Sequence, residues 1–187
     1  MATKIMVIRH AEKHDDVGVI AGVTIEGRPD PEDLTVRGWQ RAGALIALFL
    51  PPDGVFVDRN LATPDAIFAS GIGPHSKSQR PQNTVAPLAA KLGLQLNTSH
   101  LKGEETKLAA DVLAYNGVVL IAWEHQAIPL IGNSMIGNNT SCPQLWSENR
   151  FDLVWVFDPD GDSGEWKFHQ VPQRLLAGDS SEPISVV

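Results

Sequence analysis

Apolar residues in this chain fall into two kinds of run. Residues 5–8, 65–69 and 118–123 are short and nearly continuous stretches of Ile, Val, Leu, Met, Phe and Ala. Runs of that length predict strands buried on both faces, as in a parallel sheet. Longer runs between them carry a helical period. Residues 36–49 place Trp39, Ala42, Leu45, Ile46 and Phe49 near one face, with Thr35 as N-cap and Pro51-Pro52 as the stop. Residues 80–92 predict a second helix, with Pro81 in its first turn and Gly93 as its C-terminal stop. A third is expected over 104–113, with acidic residues in its first turn, and a fourth from about 128. Residues 94–96 predict a short strand, and 17–23 a short extended piece within the long loop 11–33. Residues 151–157 and 166–170 read as two strands joined by the turn-rich 158–164, a hairpin. The alternation predicts a three-layer α/β/α sandwich with a mostly parallel central sheet and a C-terminal antiparallel hairpin. One domain spans 1–187, and the polar tail after about 173 is expected to be loosely held.

Composition narrows the partners. The net charge of -7 argues against nucleic acid or an anionic membrane surface. No run reaches the roughly 18 apolar residues of a membrane span, and no signal peptide is visible at the N-terminus. Cys142 is the single cysteine, so no internal disulfide forms, and a cytoplasmic location is expected. The glycosylation triplets at Asn97, Asn138 and Asn139 carry no weight outside a secretory route.

Candidate chemistry gathers where the expected strands end. Arg9-His10 follows 5–8, Arg80 follows 65–69 and its loop, and Glu124-His125 follows 118–123. In open α/β sheets ligands sit at the carboxyl ends of the strands. Two arginines there give forked hydrogen bonds to phosphoryl oxygens. One neutral imidazole can attack phosphorus, and a second can stabilise charge on the equatorial oxygens. Other motifs fail. Gly71-Ile-Gly73 has Ser76 where a dinucleotide loop needs its third glycine, and the calcium-like run from Asp158 has His169 in place of the final glutamate. Cys142 has no arginine six residues on, and a buried thiol is expected there. His10 and His14 have a metal-ligand spacing if helical, but two nearby arginines would repel a cation.

Four elements in this order resemble the histidine phosphatase superfamily, also called phosphoglycerate mutase-like. They are Arg9-His10-Ala11, then Leu34-Thr35-Val-Arg-Gly38-Trp-Gln40-Arg41-Ala42, then Arg80-Pro-Gln-Asn-Thr84-Val-Ala86, then the apolar strand ending in Glu124-His125. Ala11 and Gln126 stand where glycine is usual. The resemblance implies a metal-independent phosphatase acting through phosphohistidine, with no cofactor. His10 is the expected nucleophile, and Arg9, Arg80 and His125 the phosphate pocket. The substrate is a phosphorylated small molecule or phosphoprotein. Glu104 is the first choice of proton donor, followed by Glu105 and Glu124, and small members that work without an obvious acid leave a fourth alternative of none. A phosphomutase is disfavoured by the short chain. A catalytically silent phospho-ligand binding protein on the same fold is the alternative.

Overall fold

A computed structural model describes residues 1–14, 21–74, 76–161 and 164–186. Among these residues five strands form one sheet in the order β2-β3-β1-β4-β5. They are β1 (Ala2–Arg9), β2 (Ala66–Ala69), β3 (Gly117–Trp123), β4 (Leu153–Pro159) and β5 (Trp166–Pro172). β2, β3 and β1 run parallel. β4 lies antiparallel to β1, and β5 antiparallel to β4. The helices are α1 (Val36–Phe49), α2 (Arg80–Leu92), α3 (Glu105–Ala114) and α4 (Ile128–Ile136).

The strand period of two decides which helix covers which face. Ile5 and Val7 of β1, with Val119, Ile121 and Trp123 of β3, pack under α3 and α4 through Leu108, Val112, Ile128 and Ile131. Met6 and Ile8, with Leu120 and Ala122, face the other way onto Leu45, Leu48 and Phe49 of α1 and Val85 and Leu88 of α2. Both faces of the parallel strands are therefore dry, and their sequences read as continuous apolar runs instead of alternating ones. The result is the expected three-layer sandwich with an antiparallel hairpin at one edge. Cys142 is buried in the α3–α4 layer, and burial pushes its thiol up to about 12.

One expectation changes. Residues 94–96 form no strand: Phe68 and Asn97 make only an isolated parallel bridge, so the sheet stops at β2. The tail beyond Gln173 makes polar contacts with the rest of the chain. Asp179 pairs with the buried Arg41, Ser180 N–H donates to Asp152, and the Gln170 amide donates to the Ile184 carbonyl. The extended piece expected at 17–23 falls largely on residues 15–20, outside the described residues, and within it Val23 bridges Pro29. Among the described residues no helix is long and apolar enough to cross a membrane.

Candidate active site

Parallel registry places the chemistry. Arg9 lies opposite Trp123, and the His10 N–H donates to the Trp123 carbonyl at 2.9 Å. Ala69 lies opposite Ala122, and the Ser70 N–H donates to the Ala122 carbonyl. The last residues of β2, β3 and β1 thus line up, and Ser70, Glu124 and His10 leave the sheet at one edge. A cavity of about 310 Å³ opens there, lined by His10, Glu32, Ser70, Ser76, Lys77, Ser78, Arg80, Pro81, Lys102 and Glu124. Among the described residues, Pro81 is its sole apolar lining residue. Among the described residues, a cavity of about 350 Å³ near α1 and β5 has only Asp58 and Arg174 as charged lining groups.

His10 is 5% exposed. Its Nδ1 lies 2.8 Å from the Ala11 carbonyl. A carbonyl only accepts, so Nδ1 carries the proton and Nε2 keeps its lone pair. Burial first, then the Arg9 guanidinium, with smaller effects of Arg80 and His125, hold this imidazole down to about 3 against the pull of the Ala11 carbonyl. The ring is a neutral base across the physiological range.

The backbone that follows His10 is anchored from α2. The Ala11 N–H donates to Thr84 Oγ1 at 2.7 Å, and that hydroxyl donates to the Arg80 carbonyl at 2.7 Å. A single buried threonine therefore ties His10–Ala11 to the helix turn that carries Arg80. From α1, the Thr35 N–H donates to the Glu12 carbonyl at 2.9 Å. Gly38 lets the helix approach this closely, because a Cβ there would sit 2.6 Å from the Glu12 carbonyl oxygen.

Arg80 is half-buried, and burial lowers its pKa against the opposing charges of Glu32, Asp33 and Asp30. It donates to the Asp33 carbonyl, to Ser78 Oγ and to the Pro31 carbonyl. Those bonds fix the guanidinium and leave N–H groups over. Arg9 is fully buried. Its Nη1 donates to the carbonyls of Ser147, Glu148 and Arg150 at 3.2, 2.6 and 3.2 Å, and its Cζ lies 3.9 Å from the centre of the Phe151 ring. Among the described residues, Nε and Nη2 of Arg9 have no hydrogen-bond partner. Burial brings Arg9 down to about 10, opposed by Glu148 and Glu12. Buried donors of a charged group left unpaired are costly. His125 also carries a buried unpartnered Nδ1, and burial, then Arg9, lowers it to about 4 while Glu148 opposes. His10 and Arg80 stand on the cavity wall. Arg9 and His125 do not, although both act on His10 electrostatically.

Glu104 is not brought to the cavity. Its Oε2 accepts the Leu101 N–H at 3.0 Å and its Oε1 takes Lys107 at 3.0 Å. Its partners are thus the N–H of a residue before α3 and an ammonium on it, and the carboxylate makes no cap hydrogen bond to the helix. Glu105 is buried, and its Oε1 accepts Trp123 Nε1 and the Gly103 N–H. Of the three carboxylates considered as acid, Glu124 alone lines the cavity, 2.8 Å from Lys102. Sequence reasoning missed Thr84 as an anchor, Glu32 as a wall residue and the Ser147–Arg150 carbonyls that hold Arg9. Thr84 stands within a quoted element, but backbone carbonyls leave no side-chain signal. Residues 10–14 are not helical, so His10 and His14 share no helix face. Among the described residues no group of three or more His, Cys, Asp or Glu is gathered as metal ligands.

No protein-family model and no curated protein matches the chain by sequence. Solved structures do match over nearly its whole length. A phosphoserine phosphatase mutant from Entamoeba histolytica, in complex with phosphoserine, covers 94% of this chain and 100% of its own, at 13% identity and a TM-score of 0.57. A mycobacterial glucosyl-3-phosphoglycerate phosphatase complexed with VO3 covers 90% and 97%, at 13% identity and 0.53. An alpha-ribazole phosphatase from Shigella flexneri covers 95% and 100%, at 12% identity and 0.52. The sheet order, the layers and these likenesses together establish that this chain has the histidine phosphatase, or phosphoglycerate mutase-like, fold.

Proposed function

We propose that the protein is a metal-independent phosphatase that hydrolyses a phosphate monoester through a phosphohistidine intermediate. The observation that carries this reading is His10: a buried, neutral imidazole with Nδ1 committed to the Ala11 carbonyl, on the wall of a cavity shared with Arg80. Its Nε2 lone pair attacks phosphorus as the ester P–O bond breaks, and the leaving oxygen takes a proton. Water then adds to phosphorus and gives a proton back to the carboxylate that protonated the leaving oxygen, the N–P bond breaks, the electron pair returns to Nε2, and inorganic phosphate leaves.

Arg80 supplies N–H donors from the cavity wall to the phosphoryl oxygens. The unpartnered Nε and Nη2 of Arg9 are the donors left for the same anion, with His125 beside them. Donors fixed before the substrate arrives act on charge as it develops, with no reorganisation at the moment of reaction. Glu124 is our choice of proton donor, because it shares the cavity with His10. The polar wall favours a small, hydrophilic leaving group over a lipid or a nucleobase. The chemistry requires no metal or organic cofactor.

The test is hydrolysis of an activated aryl phosphate in excess chelator by the wild type and His10→Ala. Turnover that survives chelation and disappears in His10→Ala supports the mechanism. Turnover lost only to the chelator refutes it, and stable phosphate-ester binding without turnover supports a silent binding protein.

A further inference from the structure

Behind the cavity lies a charged network that the proposed chemistry does not use. Arg41 of α1 is 2% exposed, yet its guanidinium is saturated. Nη2 reaches Glu12 Oε1 at 2.8 Å and Asp179 Oδ1 at 2.7 Å, while Nη1 reaches Asp179 Oδ2 at 3.0 Å and Gln173 Oε1 at 2.9 Å. Nε reaches Glu12 Oε2 at 3.1 Å. Asp179 in turn accepts the Leu175 and Leu176 N–H groups at 2.9 and 3.0 Å. Arg37, beside it on α1, holds Glu12 Oε1 and the Ala177 carbonyl.

This C-terminal strap, residues 173–182, has two arms, and each ends beside the reacting groups. One runs from Asp179 through Arg41 to Glu12, the residue after the carbonyl that fixes the His10 tautomer. The other runs through Asp152, which accepts the Ser180 N–H at 2.6 Å and takes Arg150 Nε at 2.7 Å. Arg150 donates to the Glu182 carbonyl and offers its own carbonyl to Arg9. Buried ion networks are weak sources of stability, since well-packed apolar residues of similar volume often serve as well. What they add is direction, because forked bonds fix an orientation that apolar packing leaves free.

We propose that Asp179 is a positioning residue: through Arg41 and Glu12 the C-terminal strap fixes the Ala11–Glu12 peptide, and so holds His10 with Nδ1 protonated and the Nε2 lone pair free. This rests on the reading of His10 as the nucleophile. A strap that served stability alone would lower the melting temperature and leave the imidazole unchanged.

The test uses the full chain, 15N-labelled, as wild type, Asp179→Ala and Asp179→Asn. NMR reads the His10 tautomer, and aryl phosphate kinetics are measured beside it. Asp179→Ala should shift His10 from a single Nδ1–H tautomer to a mixture, and lower kcat about tenfold with KM changed less than twofold. Asp179→Asn is nearly isosteric and keeps one acceptor for Arg41, so it should show the same changes in smaller measure. It also carries the test if Asp179→Ala does not fold. A folded variant whose His10 keeps the wild-type tautomer overturns the proposal, whatever its kinetics. The tautomer readout does not depend on turnover, so an inactive wild type would count against the phosphatase reading alone.

Discussion

Replacing Thr84 with valine tests the anchoring of the His10–Ala11 backbone most sharply. Thr84 is fully buried, and its hydroxyl accepts the Ala11 N–H and donates to the Arg80 carbonyl, both at 2.7 Å. Valine keeps the shape, so it opens no cavity, but it leaves a buried N–H without an acceptor. That costs about 1–3 kcal/mol. The Arg80 carbonyl belongs to the α2 ladder and suffers less. Serine makes the opposite exchange: it keeps both hydrogen bonds and gives up one methyl group, at a cost of about 1 kcal/mol. Thr84→Val should therefore be less stable than wild type by about 2 kcal/mol, and less stable than Thr84→Ser, although it buries more apolar surface. For a chain of this size that is a fall of about 4–8 °C in Tm. Urea unfolding with unchanged slope gives the difference directly. Activity should fall with it, because the freed Ala11 peptide no longer aims His10. Wild-type stability for Thr84→Val, or the order reversed between the variants, would refute the reasoning.

Three further outcomes follow from the same structure. The folded-state pKa of His10 is depressed from 6.5 to about 3, so between those values the unfolded chain holds a proton that the native ring does not. Stability should fall as pH drops below about 6.5, by up to about 1.4 kcal/mol per pH unit, and urea unfolding of His10→Asn should have a correspondingly flatter pH profile. Glu124→Gln should slow alkyl phosphate hydrolysis on the order of a hundredfold and aryl phosphate hydrolysis far less, whereas Glu104→Gln should leave both near wild type; the opposite pattern would restore Glu104 as donor. Gly38→Ala drives a Cβ to within 2.6 Å of the Glu12 carbonyl, and should cost about 1–3 kcal/mol and reduce kcat more than it raises KM.

The sheet was legible in the sequence because its parallel strands are buried on both faces, which writes residues 5–8, 65–69 and 118–123 as apolar runs. Thr35 was legible as a cap because its side-chain role is local, and it accepts the Gly38 N–H at 3.1 Å. The meeting of His10, Arg80 and Glu124 at one sheet edge was legible because parallel strands align their carboxyl ends, whereas Arg9 and His125 were expected on the same wall and do not line it. What stayed hidden is long-range or carried by backbone. Asp179 is 138 residues from Arg41, and a polar tail gives no sign that a buried arginine awaits it. Glu104 shows the reverse case. An acidic residue at a helix start is as well explained by the helix as by catalysis, and here both its oxygens are engaged by Leu101 and Lys107.

The central claim is that His10 itself becomes phosphorylated. Wild type and His10→Ala, mixed with an activated aryl phosphate in excess chelator and quenched in base within the first turnovers, would be digested and mapped by mass spectrometry. The account expects an acid-labile phosphate on the peptide containing His10 in the wild type and none in His10→Ala. Steady turnover with no phosphorylated histidine, or with turnover undiminished in His10→Ala, would contradict it.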